Sequence, residues 1–253
     1  MSHADANRLV LAIDIGATSI KMADVTLSGV VVSAVRRRST PYPCSPERLV
    51  EWLCTRITSR AIPRVGIGFP GDFRDGVVCA PGNLSRPKGR GSDVDPDLDA
   101  AWRGFTLQSH LCEATGLDVR VVNDAAMAAQ GCITGEGREL VITLGTGFGV
   151  ALAQEGILQP VTDYGQQPLD EERTYDGALG ERARAANDLR WLDDVRTMVR
   201  QLAETWQTPR VHLAGGNSQR LRARDIATAE IAVQIHGNSA PLRGAARLFD
   251  PVG

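Results

Sequence analysis

The sequence predicts an α/β fold made of two similar domains with mixed sheets, arranged as two lobes around a cleft. One pattern occurs twice, about 130 residues apart, in residues 9–25 and 140–152: an apolar strand, a tight turn of small residues and a second, alternating strand. Strands and helices alternate in both halves, which is typical of mixed sheets covered by helices. The repeat indicates a duplicated domain. We expect an N-terminal lobe of residues 1–122 plus about 238–253, and a C-terminal lobe of residues 123–237.

The composition limits the classes of function. A chain of 253 residues can form two domains of ordinary size, and 43% hydrophobic with 23% charged residues is typical of a soluble globular protein. The net charge of −2 gives no overall attraction to nucleic acid or to an anionic membrane. The longest apolar runs have the length of strands, so no transmembrane helix is expected. Five widely spaced cysteines indicate reduced thiols in a cytoplasmic protein without a zinc site.

Local signals place the elements of the first half. The valines of residues 29–38 predict a third strand. Ser45 as N-cap and Pro46 in the first turn predict a helix that runs to Arg60. The remaining elements expected in this half are strands at 65–69, 76–80 and 119–122, a loop at 81–97, a helix at 105–115 that ends before Gly116, and a helix from 123–124 to 131.

The second half continues the alternation after its hairpin. The expected elements are a loop around 163–170, helices near 177–188 and 191–206, strands at 211–214 and 229–235, and a last helix at 241–249.

The turns of the two hairpins are candidate phosphate-binding elements. Gly16-Ala17-Thr18 and Gly145-Thr146-Gly147 offer backbone N–H groups and a threonine hydroxyl without a bulky side chain, so each turn could cradle a phosphate. Lys21 could place a positive charge near that phosphate, or it could be an exposed strand lysine. Either turn alone could be an ordinary hairpin. The occurrence of two, together with nearby acidic residues, favours a phosphoryl donor held between the halves.

Two aspartates follow apolar strands and are candidates for the chemistry. Asp14 could hold Mg²⁺ as the ion bridges donor phosphates, or it could bond its own turn. Asp124 lies at a strand-to-helix corner and could accept a hydroxyl proton during phosphoryl transfer. Asn123 or Asp124 could equally cap the following helix. Both functions can coexist if one residue caps and the other faces the cleft.

Two further segments have open interpretations. Gly215-Gly216-Asn217 follows a strand and could lie against a flat ligand such as adenine, or it could be a plain turn that starts a helix. Arg86, Lys88 and Arg90 form a small basic loop that is either simply solvated or relevant to a long polyanionic donor.

Together these segments resemble the ROK family of sugar kinases, which belongs to the hexokinase–actin–chaperone ATPase superfamily. The branch most similar is that of the polyphosphate/ATP glucokinases. The resemblance extends over nearly the whole chain and rests on residues 14–21, 68–71, 83, 123–126, 143–149 and 215–216. It implies two ribonuclease H-like domains of the actin/hexokinase type.

The resemblance also implies a role for each candidate residue. Asp124 would be the general base on a sugar hydroxyl. The sugar would contact Gly71, Asn83, Asn123, Asp163 and Gln166, the last two standing where the family has a glutamate and a histidine. Asp14 would hold Mg²⁺, and the donor phosphates would contact Gly16, Ala17, Thr18, Lys21, Gly145, Thr146 and Gly147. Gly215 and Gly216 would face a nucleotide.

The leading hypothesis is a cytoplasmic carbohydrate kinase, glucokinase-like, that uses Mg²⁺ and moves a phosphoryl group from ATP or polyphosphate to a hexose hydroxyl. Its partners would be the sugar, the donor and a second copy of the chain in a homodimer, with no nucleic acid or membrane. The altered segment 163–166 is also compatible with a second hypothesis, a non-catalytic sugar- or nucleotide-binding protein of kinase ancestry. A third hypothesis is an ATPase-type switch whose output is domain closure.

Overall fold

A computed structural model describes residues 8–159, 164, 165 and 167–249. The sequence-based α/β class is confirmed. The strands are β1 (Leu9–Ile15), β2 (Ser19–Thr26), β3 (Arg36–Ser39), β4 (Arg64–Phe69), β5 (Asp72–Arg74), β6 (Val77–Ala80), β7 (Asp118–Asn123), β8 (Arg138–Leu144), β9 (Phe148–Gln154), β10 (Ile157–Gln159), β11 (Arg210–Ala214) and β12 (Ala232–Gly237). The α-helices are α1 (Pro46–Ile57), α2 (Pro96–Trp102), α3 (Leu107–Thr115), α4 (Asp124–Gln130), α5 (Tyr175–Leu179), α6 (Glu181–Ala186), α7 (Asp188–Thr205) and α8 (Ala240–Arg247).

The chain divides into two compact units, the first with residues 8–127 and 241–249 and the second with residues 128–240. The sheet of the first unit has the order β3-β2-β1-β4-β7, and that of the second has the order β10-β9-β8-β11-β12. In each, three antiparallel strands that follow one another in the chain are joined by two parallel strands. The two units therefore share one topology, which is the duplication that the paired hairpins predict.

Each unit has its own apolar core around a buried tryptophan. Trp102 packs against Phe69 in the first unit and donates its indole N–H to the carbonyl oxygen of Cys44 at 2.8 Å. Trp191 is buried in the second and donates to the carbonyl oxygen of Leu179 at 2.7 Å. The indole N–H groups thus keep a hydrogen-bond partner inside apolar surroundings, as burial of a polar group requires.

Several local predictions are confirmed in the first unit. The Ser45 side chain accepts from the backbone N–H of Arg48, so it caps α1 as expected, although the helix ends at Ile57 and not at Arg60. Helix α3 ends before Gly116, whose φ of 68° is left-handed. Both are short-range signals, because the capping residue and the helix end that it caps are neighbours in the sequence.

The strand predicted over residues 29–38 is wrong for most of its length. Only Arg36–Ser39 pairs regularly with β2, and the upstream segment has a single bridge between Val25 and Val31. The backbone N–H of Val32 donates to the carbonyl oxygen of Asp24, and Arg36 pairs with Met22. From the first contact to the second, the predicted strand advances by four residues and β2 by only two, and this mismatch interrupts the ladder. The β-branched side chains favour a strand, but the residues before Arg36 do not pair continuously with β2.

The loop predicted over residues 81–97 contains two helical segments. Residues 82–85 form a 3₁₀ turn, and α2 begins at Pro96. The Asp95 carboxylate accepts from the N–H groups of Asp97 and Leu98, so an Asp-Pro start signal was present in the sequence.

Two predictions in the second unit need correction. The helix expected near 177–188 is divided into α5 and α6 by Gly180, whose added Cβ would lie 2.6 Å from the carbonyl oxygen of Asp176. The strand expected at 229–235 begins only at Ala232, because Thr228 and Ile231 close a turn before it. In the part of the chain that the structure describes, no helix is both long and apolar enough to cross a membrane.

Candidate functional site

Asp14 lies at the carboxyl end of β1 and forms a partly buried ion pair with Lys21. The residue is only 8% exposed, and its Oδ2 accepts from the Lys21 ammonium group at 2.8 Å. The two residues face each other directly in the β1–β2 ladder. Lys21 is therefore not an exposed strand lysine, and the Asp14 carboxylate accepts from this lysine. The predictions that Asp14 holds Mg²⁺ and that Lys21 lies near a phosphate stay predictions.

Asp124 is the first residue of α4, at the point where β7 ends. The neighbouring Asn123 caps the helix, since its Oδ1 accepts from the N–H of Ala126 at 3.1 Å. The Asp124 carboxylate accepts from the adjacent N–H of Ala125 at 2.8 Å and from its own backbone N–H. At Gly68 on β4 a Cβ would come within 3.2 Å of the Asp124 Cα, so the glycine lets the start of α4 approach the sheet. One residue of the Asn-Asp pair therefore caps the helix, and the other keeps its carboxylate for another use.

The surroundings of Asp124 raise its proton affinity. Burial, and after it the nearby negative charge of Asp14, raise the pKa of Asp124 from 3.8 to about 7. The N–H of Ala125 and the charge of Lys21 act in the opposite direction and do not cancel this rise. A carboxyl group with a pKa near neutrality is about half ionised at pH 7, and its ionised form can take a proton from a hydroxyl group.

The first candidate phosphate turn is held from one side by two residues that sequence reasoning did not single out. Thr40 donates its hydroxyl to the carbonyl oxygen of Gly16 at 2.7 Å and its N–H to that of Thr18 at 3.2 Å. Tyr42 donates its hydroxyl to the carbonyl oxygen of Ala17 at 2.8 Å. In a planar trans peptide the N–H points away from the preceding C=O. Fixing these three carbonyls therefore directs the following N–H groups to the opposite side, where an anion could bind.

Tyr42 also connects this turn to the loop that carries Asn83. Burial raises the pKa of Tyr42 to about 12, so its hydroxyl remains a donor at any physiological pH. The same hydroxyl lies 3.4 Å from the carbonyl oxygen of Asn83, and a Cβ at Gly89 would come within 2.7 Å of the tyrosine ring. The half-buried side chain of Asn83 has no hydrogen-bond partner among the described residues, which leaves its amide available to a ligand.

The turn at Gly71 is built against the same loop. An added Cβ at Gly71 would lie 2.2 Å from the carbonyl oxygen of Ala80, and one at Gly82 would lie 2.3 Å from that of Pro70. Asn123 donates its side-chain N–H to the carbonyl oxygen of Gly71 at 2.8 Å. Asn123 thus fixes this turn as well as the helix start. The structure brings Gly71, Asn123 and Asp124 together, and their contacts with a sugar stay a prediction.

The second candidate phosphate turn, in the second unit, is held in the same manner. Asn217 donates to the carbonyl oxygen of Gly145 at 3.1 Å, and the N–H of Glu181 donates to that of Thr146 at 3.3 Å. Asn217 also donates to the Glu181 carboxylate at 2.9 Å. A hydrogen bond from Arg184 lowers the pKa of Glu181 to about 2, so this acceptor stays ionised. The turn therefore has two fixed carbonyls whose partners lie outside the hairpin.

Asp176, a residue absent from the predicted site, closes the far side of that turn. Its Oδ1 accepts from the N–H of Phe148 at 2.7 Å. An added Cβ would lie 2.6 Å from this oxygen at Gly147 and 2.7 Å from it at Gly165. Gly147 is therefore required by the carboxylate beside it, whereas a Cβ at Gly145 would meet no atom of the described residues within 4 Å.

The remaining predicted residues are placed as follows. Gly215 has a φ of 86°, and its added Cβ would lie 2.3 Å from the carbonyl oxygen of Leu144, so the close approach at this glycine is to strand β8. Gly216 lies beside the side chain of Asn238. In the basic loop, Arg86 donates to the carbonyl oxygen of Ser92. Asp163 and Gln166 lie outside the described residues.

The donor set suits a hard divalent cation held mainly by its substrate. Among the described residues no three histidine, cysteine or acidic side chains gather into a metal cluster. Asp14 supplies a carboxylate next to the first turn, and Asp124 lies near it. Mg²⁺ is commonly bound by one or two carboxylates, with waters and substrate phosphates completing its shell. The residues present fit such an ion.

Five side chains that shape the turns were missed: Thr40, Tyr42, Asp176, Glu181 and the amide of Asn217. Each acts across 24 to 72 residues of sequence. Only Asn217 carried a signal, since it directly follows the Gly-Gly pair.

Comparison with known proteins identifies the family of the chain. Residues 10–160, more than half of the chain, match the ROK family model, and the chain therefore belongs to the ROK family. It is 26% identical over 229 residues to polyphosphate glucokinase of Mycobacterium leprae and 30% identical over 159 residues to glucokinase of Halalkalibacterium halodurans. These alignments cover 85% and 60% of this chain, but only 65% and 46% of the two relatives.

A solved structure is similar over nearly its whole length. The inorganic polyphosphate/ATP-glucomannokinase from Arthrobacter sp. strain KM superposes with a TM-score of 0.74 at 25% identity, covering 96% of this chain and 99% of that one. The likeness supports a two-domain actin/hexokinase-like fold for the chain.

Proposed function

We propose that this chain is a carbohydrate kinase that transfers a phosphoryl group from ATP or inorganic polyphosphate to a hydroxyl of a glucose-like hexose in the cytoplasm. The observation that carries the proposal is Asp124, a partly buried carboxyl group with a pKa of about 7 beside the Asp14–Lys21 pair. The names of the relatives, a polyphosphate glucokinase and a polyphosphate/ATP-glucomannokinase, support the acceptor and both donors.

In the proposed reaction, ionised Asp124 accepts the proton of the sugar hydroxyl. The hydroxyl oxygen forms a bond to the terminal phosphorus of the donor, and the bond from that phosphorus to the bridging oxygen breaks. ADP, or a polyphosphate shortened by one unit, leaves with the electron pair. In such transfers the protein mainly positions the reactants and stabilises charge. One well-placed general base is therefore enough to accept the proton of the hydroxyl group.

The acceptor would be oriented by Asn83, Asn123 and the Gly71 turn. The amide of Asn83, which has no partner in the part of the chain that the structure describes, can both donate to and accept from sugar hydroxyls. The Oδ1 of Asn123 accepts from the N–H of Ala126, and one side-chain N–H donates to the carbonyl oxygen of Gly71. Its second side-chain N–H would bind the sugar. Asp163 and Gln166 are proposed as further sugar contacts on the basis of the family resemblance alone.

Each of the two turns is proposed as a binding element for donor phosphates. The N–H groups that follow the fixed carbonyls of residues 16–18 and 145–146 are oriented as anion donors. Lys21 keeps two ammonium protons beyond the bond to Asp14. Mg²⁺ held by Asp14 would neutralise charge on the phosphates. Gly215 and Gly216 are proposed to face the nucleotide when ATP is the donor.

The test is direct detection of a phosphorylated sugar. The folded protein is incubated with Mg²⁺ and a panel of hexoses, with ATP in one set and polyphosphate in the other. Product in any reaction identifies donor and acceptor together. The segment 163–166 differs from the family pattern, so a non-catalytic binding protein is the second candidate. Sugar and nucleotide binding without product across the whole panel would favour that candidate.

A further inference from the structure

One edge of the first unit's sheet carries three consecutive arginines. Strand β3 has the sequence Arg36-Arg37-Arg38-Ser39, all four residues are exposed, and β3 is the terminal strand of its sheet. Among the described residues, none of these arginines has a carboxylate within ion-pair distance. The chain contains more acidic than basic residues, 30 against 28, so this run is not a consequence of an overall basic composition.

The charge of this strand is reinforced by its neighbourhood. Arg56 on α1 stacks over the ring of Trp52, and burial, followed by the charge of nearby Arg38, lowers the pKa of the Arg56 guanidinium. Clustered positive charges repel one another unless an anion lies among them. A surface that keeps such a cluster without acidic partners is suited to an anionic ligand.

The register joins the arginine strand to the first phosphate turn. Arg37 is the ladder partner of Lys21, which is in turn the ladder partner of Asp14. The residue after the strand, Thr40, binds the carbonyl oxygens of Gly16 and Thr18. At about 3.3 Å per residue, Arg37 lies about 10 Å along the chain from Thr40. Successive side chains of a strand point to opposite faces, so Arg37 shares the sheet face of Lys21 and Asp14, while Arg36 and Arg38 lie on the other face of this edge. The arginine strand therefore runs along the sheet edge beside the strand that follows the first phosphate turn.

We propose that Arg36, Arg37 and Arg38 form a binding track for the distal phosphates of an inorganic polyphosphate chain. This inference rests on the proposed function, and it names the donor class that the site is equipped to use. The three phosphates of ATP are needed at the turns, whereas only a longer polyanion has further phosphates to place along β3. The basic loop of residues 86–90 is a weaker candidate, because Arg86 is partly buried as well as bonded to the carbonyl oxygen of Ser92. Arg38 also donates to a carbonyl oxygen, that of Arg37, but it is exposed like its neighbours on β3.

Charged residues on an edge strand also have a purely protective role, since they prevent pairing with other sheets. That role requires charge of either sign, whereas a polyphosphate track requires positive charge. Substitutions that differ in charge therefore separate the two explanations.

The experiment measures equilibrium binding of end-labelled, size-fractionated long-chain polyphosphate and of inorganic tripolyphosphate, each over a range of salt concentrations. The variant is R36Q/R37Q/R38Q, and R36K/R37K/R38K is the charge-preserving variant. R190Q/R222Q/R224Q, which removes the same charge from exposed positions in the second unit, is the matched control. Thermal unfolding establishes that each protein is folded.

The track predicts that the glutamine variant binds long-chain polyphosphate about tenfold more weakly, with a shallower dependence on salt because fewer counterions are released. Tripolyphosphate binding should change by less than about twofold. The lysine variant and the matched control should retain most of the long-chain affinity. Unchanged long-chain binding, an equal loss for both probes, or no binding by the unsubstituted protein would overturn the inference.

The sugar assay separates this outcome from the proposed function. Loss of long-chain binding in the glutamine variant, in a protein that phosphorylates no sugar, would leave the track standing and reject the kinase. Equal use of polyphosphate by the variant and the unsubstituted enzyme would support the kinase and reject the track.

Discussion

Asp14 and Asp124 are coupled through their charges. Burial contributes most to the raised pKa of Asp124, and the negative charge of Asp14 contributes next. Asp14 itself is bonded to Lys21 at 2.8 Å. A like charge close by disfavours ionisation of a partly buried carboxyl group. The proton affinity of Asp124 is therefore set jointly by β1, β2 and the start of α4.

The rate of phosphoryl transfer should depend on the ionisation of Asp124. Because the pKa of Asp124 is about 7, kcat/KM should fall about tenfold per pH unit below about pH 7. Lys21→Met should move the midpoint upward, since the charge of Lys21 lowers this pKa. Initial rates at constant ionic strength measure both profiles. A rate that is flat between about pH 5 and pH 8 would contradict the assignment.

The same pKa predicts that Asp124 destabilises the folded state at higher pH. Between 3.8 and about 7, the folded protein holds a proton that the unfolded chain has released, so stability falls as the pH rises through this window. Asp124→Asn should therefore raise the free energy of unfolding at about pH 8 by up to about 4 kcal/mol, and much less at about pH 4. Urea unfolding at both values measures this. An equal gain at the two pH values would exclude the linkage.

Removal of the Tyr42 hydroxyl should loosen the first phosphate turn. Tyr42→Phe deletes the bond to the carbonyl oxygen of Ala17, and loss of one hydrogen bond of roughly 1 kcal/mol should raise the donor KM about fivefold. The KM of the hexose should change little. Tyr175→Phe in the second unit is the matched control. If both variants behave alike, Tyr42 does not position the turn.

The second turn should tolerate a methyl group at one glycine and not at the other. Gly147→Ala would place a Cβ 2.6 Å from the Asp176 carboxylate, whereas Gly145→Ala meets open space. Overpacking of this kind costs about 1–3 kcal/mol. Thermal unfolding should therefore show a clear loss for Gly147→Ala and little for Gly145→Ala. Similar melting temperatures for the two variants would argue against the geometry of the Asp176 contact.

A buried carboxylate away from both turns should prove structural. Burial raises the pKa of Glu139, but hydrogen bonds from Thr134, His212 and Gly135 together lower it below the usual value. Its stabilising effect should thus be lost as the pH falls through that lowered pKa. Glu139→Gln should reduce the free energy of unfolding by about 1–3 kcal/mol. The exposed Glu113→Gln is the control, and equal stability of both variants would refute the prediction.

The parts of the site that the sequence predicts depend on short-range signals. The turns of residues 16–18 and 145–147 and the Asn123–Asp124 corner each follow an apolar strand directly, so their location needs no knowledge of distant contacts. The strand at 29–38 was overextended because a run of valines predicts β structure, while its register depends on a partner strand.

The supports of the site could not be predicted in this way. Tyr42 reaches Ala17 across 25 residues, and Asn217 reaches Gly145 across 72. Nothing in the local sequence distinguishes Tyr42 from other polar residues, and only the preceding Gly-Gly pair marks Asn217. Their function follows only from the folded backbone, in which they bind the carbonyl oxygens of a turn.

The most direct measurement of the central claim compares Asp124→Asn with the unsubstituted protein in the detection of phosphorylated sugar. Asp118→Asn, at the exposed start of β7, the strand that leads to Asp124, is the matched control. Asp124→Asn should lose about a hundredfold to ten thousandfold of the rate while still binding the sugar, and Asp118→Asn should be unaffected. Transfer by Asp124→Asn at the unsubstituted rate would contradict the account, because Asp124 would then not be the base.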